Sequence, residues 1–493
     1  MGGHPRGLAT LFFTEMWERF SYYGMRAILV LAMVAAVTGD NPGLGLTDQT
    51  ATAIYGIYTA AVYLLALPGG WIADRLLGQQ KAVWYGGIII AAGHFTMALP
   101  STPTFFIGML LIVIGTGLLK PNISTIVGEL YPEGGARRDA GFSIFYMGIN
   151  IGAFSATLLC GWLGEVYGWS WGFGAAGIGM LLGLIVFQWG QKTLMGHGEP
   201  EHPERLTQGV GIPGLTVERA IYAGSLLMVA AVWQLVQLTD TVGTLLDVMS
   251  LMVLAGLGWF LLFRCSKVER ERMFVLILLT LSTVVFWALF EQGAGSMTLY
   301  ADRVTDKTLF GITLTAAQFG AANSFFIFSL APLFALLWIR LGRRGWEPST
   351  PVKFSLGIAQ AGLGFGALVY GAQFPDQAGV VSAWWLIVAY LLHTTGELCL
   401  SPVGLSAVTK LAVPSVVGVM MGTWFLASAY SSYVAAQIAT IAARPANEGS
   451  LNLTDALSGY TELFSQLLTI GLAGGAVLLV LSPVLKRMMH GVR

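Results

Sequence analysis

Charge is what this sequence has least of. Only 26 Lys or Arg and 26 Asp or Glu occur among 493 residues, 11% in all, against about 25% in a typical soluble domain. A chain so poor in charge cannot clothe a water-facing surface of its size. The charges that exist cancel, so nothing in the balance points to a nucleic-acid partner. Cysteine is equally sparse. Cys160, Cys265 and Cys399 stand apart, in or beside apolar segments and without metal-ligand spacing, which reads as three buried thiols rather than a disulfide framework. There is no P-loop GxxxxGK(S/T) for ATP-driven work, no HExxH and no nucleophile–base motif, so neither an enzyme nor a cofactor is implied. A cleavable leader is not expected either, because Glu15, Glu18 and Arg19 interrupt the apolar run it would need.

What is present is apolar length. Hydrophobic residues make up 55% of the chain, and apolar runs long enough to span a bilayer recur from end to end, giving an all-α polytopic membrane protein with fourteen expected spans. An even count places both termini on one side. If that side is the cytoplasm, only Arg303, Lys307 and Arg444 of the Lys and Arg residues fall outside, and Arg19, Arg26 and Lys120 lie within helices. The remainder, Arg343, Arg344 and Lys486 among them, sit at cytoplasmic ends, as the positive-inside rule requires. The longest polar connection, 191–217, carries Pro200, Pro203 and Pro213 and reads as a linker. The expected organisation is a six-helix bundle at 1–190, the linker 191–217, an inserted hairpin at 218–263 with no ionisable group deep in its apolar runs, and a second six-helix bundle at 264–493.

One stretch violates the general poverty in charge. Glu15, Glu18, Arg19 and Arg26 lie inside the first apolar segment, and with Tyr22 and Tyr23 they fall on one face of a 3.6-residue helix. A charge at the bilayer centre costs roughly 2.5–3.5 kcal/mol, so that face reads as the wall of a polar pathway. Depth arithmetic at about 1.5 Å per residue gives these charges partners. Glu18 and Lys120 each lie roughly 15 Å, and Glu397 roughly 21 Å, from the cytoplasmic starts of their helices, whereas Arg26 and Glu291 lie roughly 27 and 30 Å in. Arg26 and Glu291 therefore share an outer level, and Lys120, Glu397 and the Glu15–Arg19 cluster an inner one. A faint internal repeat supports two matching halves: Gly115 to Pro121 and Gly396 to Pro402 place Gly and Pro at the same spacing.

Blander readings attach to other residues. Asp74 and Arg75, at a helix end, read as a structural latch. His393 and Glu397 stand at i and i+4, a metal-ligand spacing, but no second pair accompanies them and no metal is expected. Gly148-x-x-x-Gly152 serves close helix approach. Tyr22 and Trp287 read as packing aromatics, Tyr23 and Tyr63 as cavity residues.

Glu15-x-x-Glu18-Arg19-Phe20-x-Tyr22-Tyr23-Gly24 resembles the ExxERFxYYG signature of the proton-coupled oligopeptide transporters, a family of the major facilitator superfamily. Phe145-Tyr146-x-x-Ile149-Asn150-x-Gly152, Gly115-x-Gly117-x-x-Lys120-Pro121-Asn122, Phe290-Glu291-Gln292 and Gly396-Glu397-Leu398 extend the likeness over nearly the whole chain, and Gly70 to Gly78 resembles the loop motif of the wider superfamily. The resemblance implies a major facilitator fold, two six-helix bundles plus a two-helix insertion, in a bacterial inner membrane, importing di- and tripeptides with protons by alternating access. Glu15, Glu18, Arg19 and Glu291 would couple protons. Arg26 and Lys120 would meet the peptide carboxylate, and Glu397 with Asn150 and Asn323 its amino end; Tyr23, Tyr63, Ser401 and Trp424 complete the expected substrate set. The pairs Arg26–Glu291 and Lys120–Glu397 would act as gates. Helix two lacks the histidine that animal members carry, which leaves proton coupling to carboxylates. Another small solute such as nitrate or an organic anion is the alternative substrate, since plant relatives depart from peptides.

Overall fold

The structure is a computed structural model and describes residues 3–133, 135–237, 239–413, 416–442 and 453–492. Arg444, one of the expected outer charges, and the first residue of the segment expected at 415–441 lie outside the described residues. The helices run α1 (Arg6–Val34), α2 (Asp48–Ile72), α3 (Gln79–Met97), α4 (Thr102–Glu129), α5 (Gly135–Trp162), α6 (Trp169–Gly190) and the single turn α7 (Pro203–Leu206). They continue with α8 (Val217–Gln237), α9 (Thr239–Phe263), α10 (Lys267–Phe290), the short α11 (Ser296–Val304), α12 (Ala321–Arg343), α13 (Thr350–Gly371), α14 (Ala383–Leu411), α15 (Val417–Ala442) and α16 (Leu453–Met488). Among the described residues, ten stretches are long and apolar enough to cross a membrane. α1 is not among them, because its charged face interrupts every sufficiently long apolar window.

The chain forms two compact units, one of Met1–Leu46 and Ala61–Thr239, the other of Thr47–Ala60 and Asp240–Arg493. α2 is therefore divided between them. In the first unit, α2 and α5 both end in a π-helical turn, Ala73–Leu77 and Leu163–Tyr167, followed by a glycine in the left-handed region. Gly78 (φ 74°) and Gly168 (φ 123°) close these turns with N–H bonds to Ala73 O at 2.8 Å and Leu163 O at 3.1 Å. A side chain would be strained at either position, so glycine is what allows the next helix to start without a loop. Leu119, Ile126, Met180 and Phe187 belong to the buried core of this unit.

Close helix approach is bought by glycine. A Cβ at Gly152 on α5 would lie 2.1 Å from Met16 O, and one at Gly148 3.0 Å from the Phe12 ring. At Gly24, the last residue of the charged signature, it would lie 2.6 Å from Cys160 Sγ. The helix-four motif has the same logic: Gly115 faces Gly86 O at 2.6 Å and Gly117 faces Leu65. Pro121 lacks the N–H that would bond Gly117 O within α4.

One feature departs from expectation, and two others concern how the linker and the inserted pair are anchored. The segment expected at 271–298 is not continuous: α10 stops at Phe290, a 3-10 turn covers Glu291–Ala294, and α11 begins after Gly295. Gly293 and Gly295 withdraw helix propensity at the break. The connection at 191–217 is docked over part of its length, with Gly198 N donating to Glu129 Oε2 at 2.9 Å and Gln80 Nε2 to His197 O at 2.7 Å. In the inserted pair, α8 is counted with the first unit, where Lys81 meets Glu218 at 2.7 Å and the Tyr85 hydroxyl donates to Tyr222 O at 2.9 Å. α9 is counted with the second, where the Tyr430 hydroxyl donates to Asp247 Oδ1 at 2.9 Å. Asp247 is exposed and lies about 12 Å into α9.

The glycine contacts set a prediction. Gly152→Val should lower the thermal midpoint of the solubilised protein, at a cost of about 1–3 kcal/mol or more from overpacking. Gly174→Ala, where nothing lies within 4 Å, should leave it unchanged. Equal midpoints for the two variants would show that α1 and α5 are not packed this closely.

Candidate functional site

In the first unit, the charged face of α1 is buried and internally paired. Glu15 and Arg19 are each 3% exposed and Glu18 1%. Arg19 sits between the carboxylates, with Nε 3.1 Å from Glu15 Oε1 and Nη2 donating to Glu18 Oε1 at 2.6 Å; its Nε also donates to Glu18 Oε2. The spacing i, i+3, i+4 is what allows one guanidinium to serve both acids. Glu15 Oε2 is buried without a hydrogen-bond partner. The guanidiniums of Arg19 and Arg26 lie over the rings of Tyr22 and Tyr23, at 5.2 and 5.8 Å. Lys120, on α4, lies with its Nζ 4.3 Å from the Tyr63 ring centroid, and its charge interacts with those of Glu15, Glu18, Arg19 and Arg26. Two carboxylates and three cations thus share one polar interior, steadied by aromatic faces. Asn150, on α5, donates to Tyr146 O of its own helix at 3.0 Å.

In the second unit, the structure brings Asn323 of α12 and Glu397 of α14 together. Asn323 Nδ2 donates to Glu397 Oε2 at 3.2 Å and to Thr394 Oγ1 at 3.0 Å, while the Thr394 hydroxyl donates to Tyr390 O at 2.7 Å. This chain of bonds orients the Glu397 carboxylate, which is 8% exposed. Ser401 follows Glu397 by one helical turn on the same face. Trp424 of α15 lies over Gly404 of α14, where a Cβ would meet its ring at 2.1 Å. Glu291, in the turn after α10, accepts from the Tyr55 hydroxyl at 3.0 Å, and its neighbour Gln292 ties that turn to α15 through Ala435 O at 2.9 Å. His393 packs against the Phe365 ring at 4.8 Å and Phe290 at 6.3 Å. Among the described residues, no group of three or more His, Cys, Asp or Glu is placed to hold a metal ion.

Several partners had no sequence signal. Tyr55 reaches Glu291 across 236 positions. Arg303 forks onto Asp48, with Nη2 donating to Oδ1 at 2.7 Å, and Nη1 also reaches the Tyr460 hydroxyl at 3.2 Å. Ser21 and His94, both fully buried, meet at 2.9 Å between α1 and α3. Asp74 and Arg75 are exposed at the end of α2, with Asp74 accepting from Gln79 Nε2 at 2.9 Å.

Residues 80–457 match the model of the POT family. This chain belongs to that family. It is 40% identical over 505 residues to the peptide transporter YePEPT of Yersinia enterocolitica, covering 99% of this chain and 96% of that one. It is 37% identical over 507 residues to a di-/tripeptide transporter of Lactococcus lactis, covering 100% and 98%. A solved structure of a peptide transporter POT in complex with sulfate superimposes with a TM-score of 0.84 at 39% identity, covering 100% of this chain and 97% of that one. The POT family member is thus a multi-pass membrane transporter with the major facilitator fold.

The transporter's Asp48–Arg303 fork is testable apart from transport. Asp48→Ala and Arg303→Ala should each destabilise the protein, and the double variant should cost clearly less than the two together, with a coupling of about 1–3 kcal/mol. Additive losses in thermal unfolding would mean that the pair holds nothing.

Proposed function

We propose that this POT family member is a symporter that imports di- and tripeptides with protons across a bacterial inner membrane, with both termini cytoplasmic, fourteen spans and alternating access. The observation that carries this reading is the buried Glu15–Arg19–Glu18 group with an unpartnered carboxylate oxygen, in a chain whose relatives are named peptide transporters. A buried carboxylate oxygen without a donor costs about 1–3 kcal/mol, and more when the group is charged, which suits this carboxylate to carrying a proton. Protonation also releases Arg19 or Lys120 from its counter-charge, so proton binding trades one ion pair for another.

Peptides are zwitterions, and the site offers both signs. Arg26 and Lys120 suit the peptide carboxylate, with Tyr23, Tyr63 and Asn150 around it; Glu397, Asn323, Ser401 and Trp424 suit the amino end. A carrier of nitrate or an organic anion has no use for Glu397, so that alternative is not favoured. In the proposed cycle, Arg26–Glu291 close the outer end and Lys120–Glu397 the inner one, and Glu291 belongs to the proton-coupling set.

Four outcomes test this. Proteoliposomes should accumulate labelled dialanine only under an inward proton gradient, with nitrate failing to compete; accumulation of nitrate instead of dialanine overturns the substrate. Glu15→Gln and Glu18→Gln should abolish accumulation while preserving peptide exchange, and full pH-driven accumulation by both would remove them from coupling. Asn323→Ala should weaken peptide binding about tenfold by freeing Glu397, and unchanged affinity would detach that pair from the site. For the outer gate, a cysteine pair at 26 and 291, with Cys160, Cys265 and Cys399 replaced, should crosslink under oxidation in a manner that peptide and pH alter.

A further inference from the structure

A concavity of mixed polar and apolar lining lies away from these residues, at the end of the second unit where α14 and α16 finish. It has a volume of about 220 Å³. Its polar side is formed by Glu347 before α13, Thr350 and Lys353 at the start of α13, and Ser406 and Lys410 in the last turns of α14; Met489, just beyond α16, is part of the apolar side. Lys353 is only 7% exposed. Its Nζ lies 2.6 Å from Glu347 Oε1 and 4.6 Å from the Trp338 ring centroid, so the cation is fixed in the wall rather than free to sweep solvent. Lys410 adds a second positive charge, and the lining carries two cations against one carboxylate.

Two further features favour an anion. α13 begins at Thr350 with Pro351 in its first turn and no side-chain cap from Ser349, so the positive end of a long helix lies beside the cavity that Thr350 and Lys353 line. Arg340 and Arg343 end α12, and Lys486 and Arg487 end α16. On the orientation proposed above, this end meets the cytoplasmic leaflet, whose anionic lipids are drawn to such basic ends and to basic pockets between membrane helices.

We propose that this cavity binds a phosphate group, presented by an acidic phospholipid headgroup or by free phosphate. Lys353, Lys410 and the two hydroxyls hold the phosphate oxygens, and the apolar side accepts the glycerol and first methylenes of a lipid. Glu347 holds Lys353 in place but opposes the ligand, which gives a diagnostic sign: removing its charge strengthens binding.

The test uses the full-length protein in detergent, titrated with phosphatidylglycerol, phosphatidylcholine or inorganic phosphate and read by native mass spectrometry and thermal midpoint. Phosphatidylglycerol should remain bound and raise the midpoint, and phosphatidylcholine should do neither. Lys410→Gln with Ser406→Ala, both at the rim, should weaken phosphatidylglycerol binding by roughly fivefold per cation lost. Glu347→Gln should tighten it. If millimolar inorganic phosphate protects as well as the lipid, the natural source is soluble phosphate; if it is inert, the source is the lipid. Equal retention of phosphatidylglycerol and phosphatidylcholine with phosphate inert, or an indifferent Lys410→Gln variant alongside a Glu347→Gln variant that binds no better, would reduce the lysines to structural ties and overturn the proposal.

Discussion

A guanidinium held between two carboxylates inside an apolar helix bundle is the constraint around which the first unit is arranged. Arg19, Glu15 and Glu18 cannot face lipid, so α1 must turn that face inward. Glycine sets the neighbour's approach: with no Cβ at Gly148 and Gly152, α5 seats its backbone against Phe12 and Met16, beside that face. Lys120 then arrives from α4 at the same level, and Pro121 and the flanking glycines let α4 lie close to α2 and α3. Charge sets which face is inward, and small residues set how near the neighbours can come.

The second unit meets the same problem with neutral donors. Glu397 is steadied by an amide from Asn323 and a hydroxyl relay through Thr394, and Glu291 by the phenol of Tyr55.

Much of this was legible in the sequence for one reason: in a chain with few charges, each charge within an apolar run is conspicuous. The α1 face, Lys120, Glu291 and Glu397 were found that way, and Gly148-x-x-x-Gly152 through helical spacing. Asn323 drew attention only through family likeness, yet it is the residue the structure ties directly to Glu397. What could not be read were pairings with no local pattern. Tyr55 with Glu291, Asp48 with Arg303 and Ser21 with His94 join residues 236, 255 and 73 positions apart, and hydropathy carries no record of such distances. The break after Phe290 was missed because an apolar run masks a local loss of helix propensity.

The loopless π-turn elbows at Gly78 and Gly168 have a practical consequence. With no slack between helices, and with Pro200 packed where a Cβ at Gly78 would project, these corners offer neither a cleavage site nor room for an inserted tag. The stretch 207–216 between α7 and α8 is different: its glycines at 211 and 214 have nothing within 4 Å of a projected side chain. A fusion partner, an affinity epitope or a fluorophore intended to report on this transporter without disturbing it belongs there.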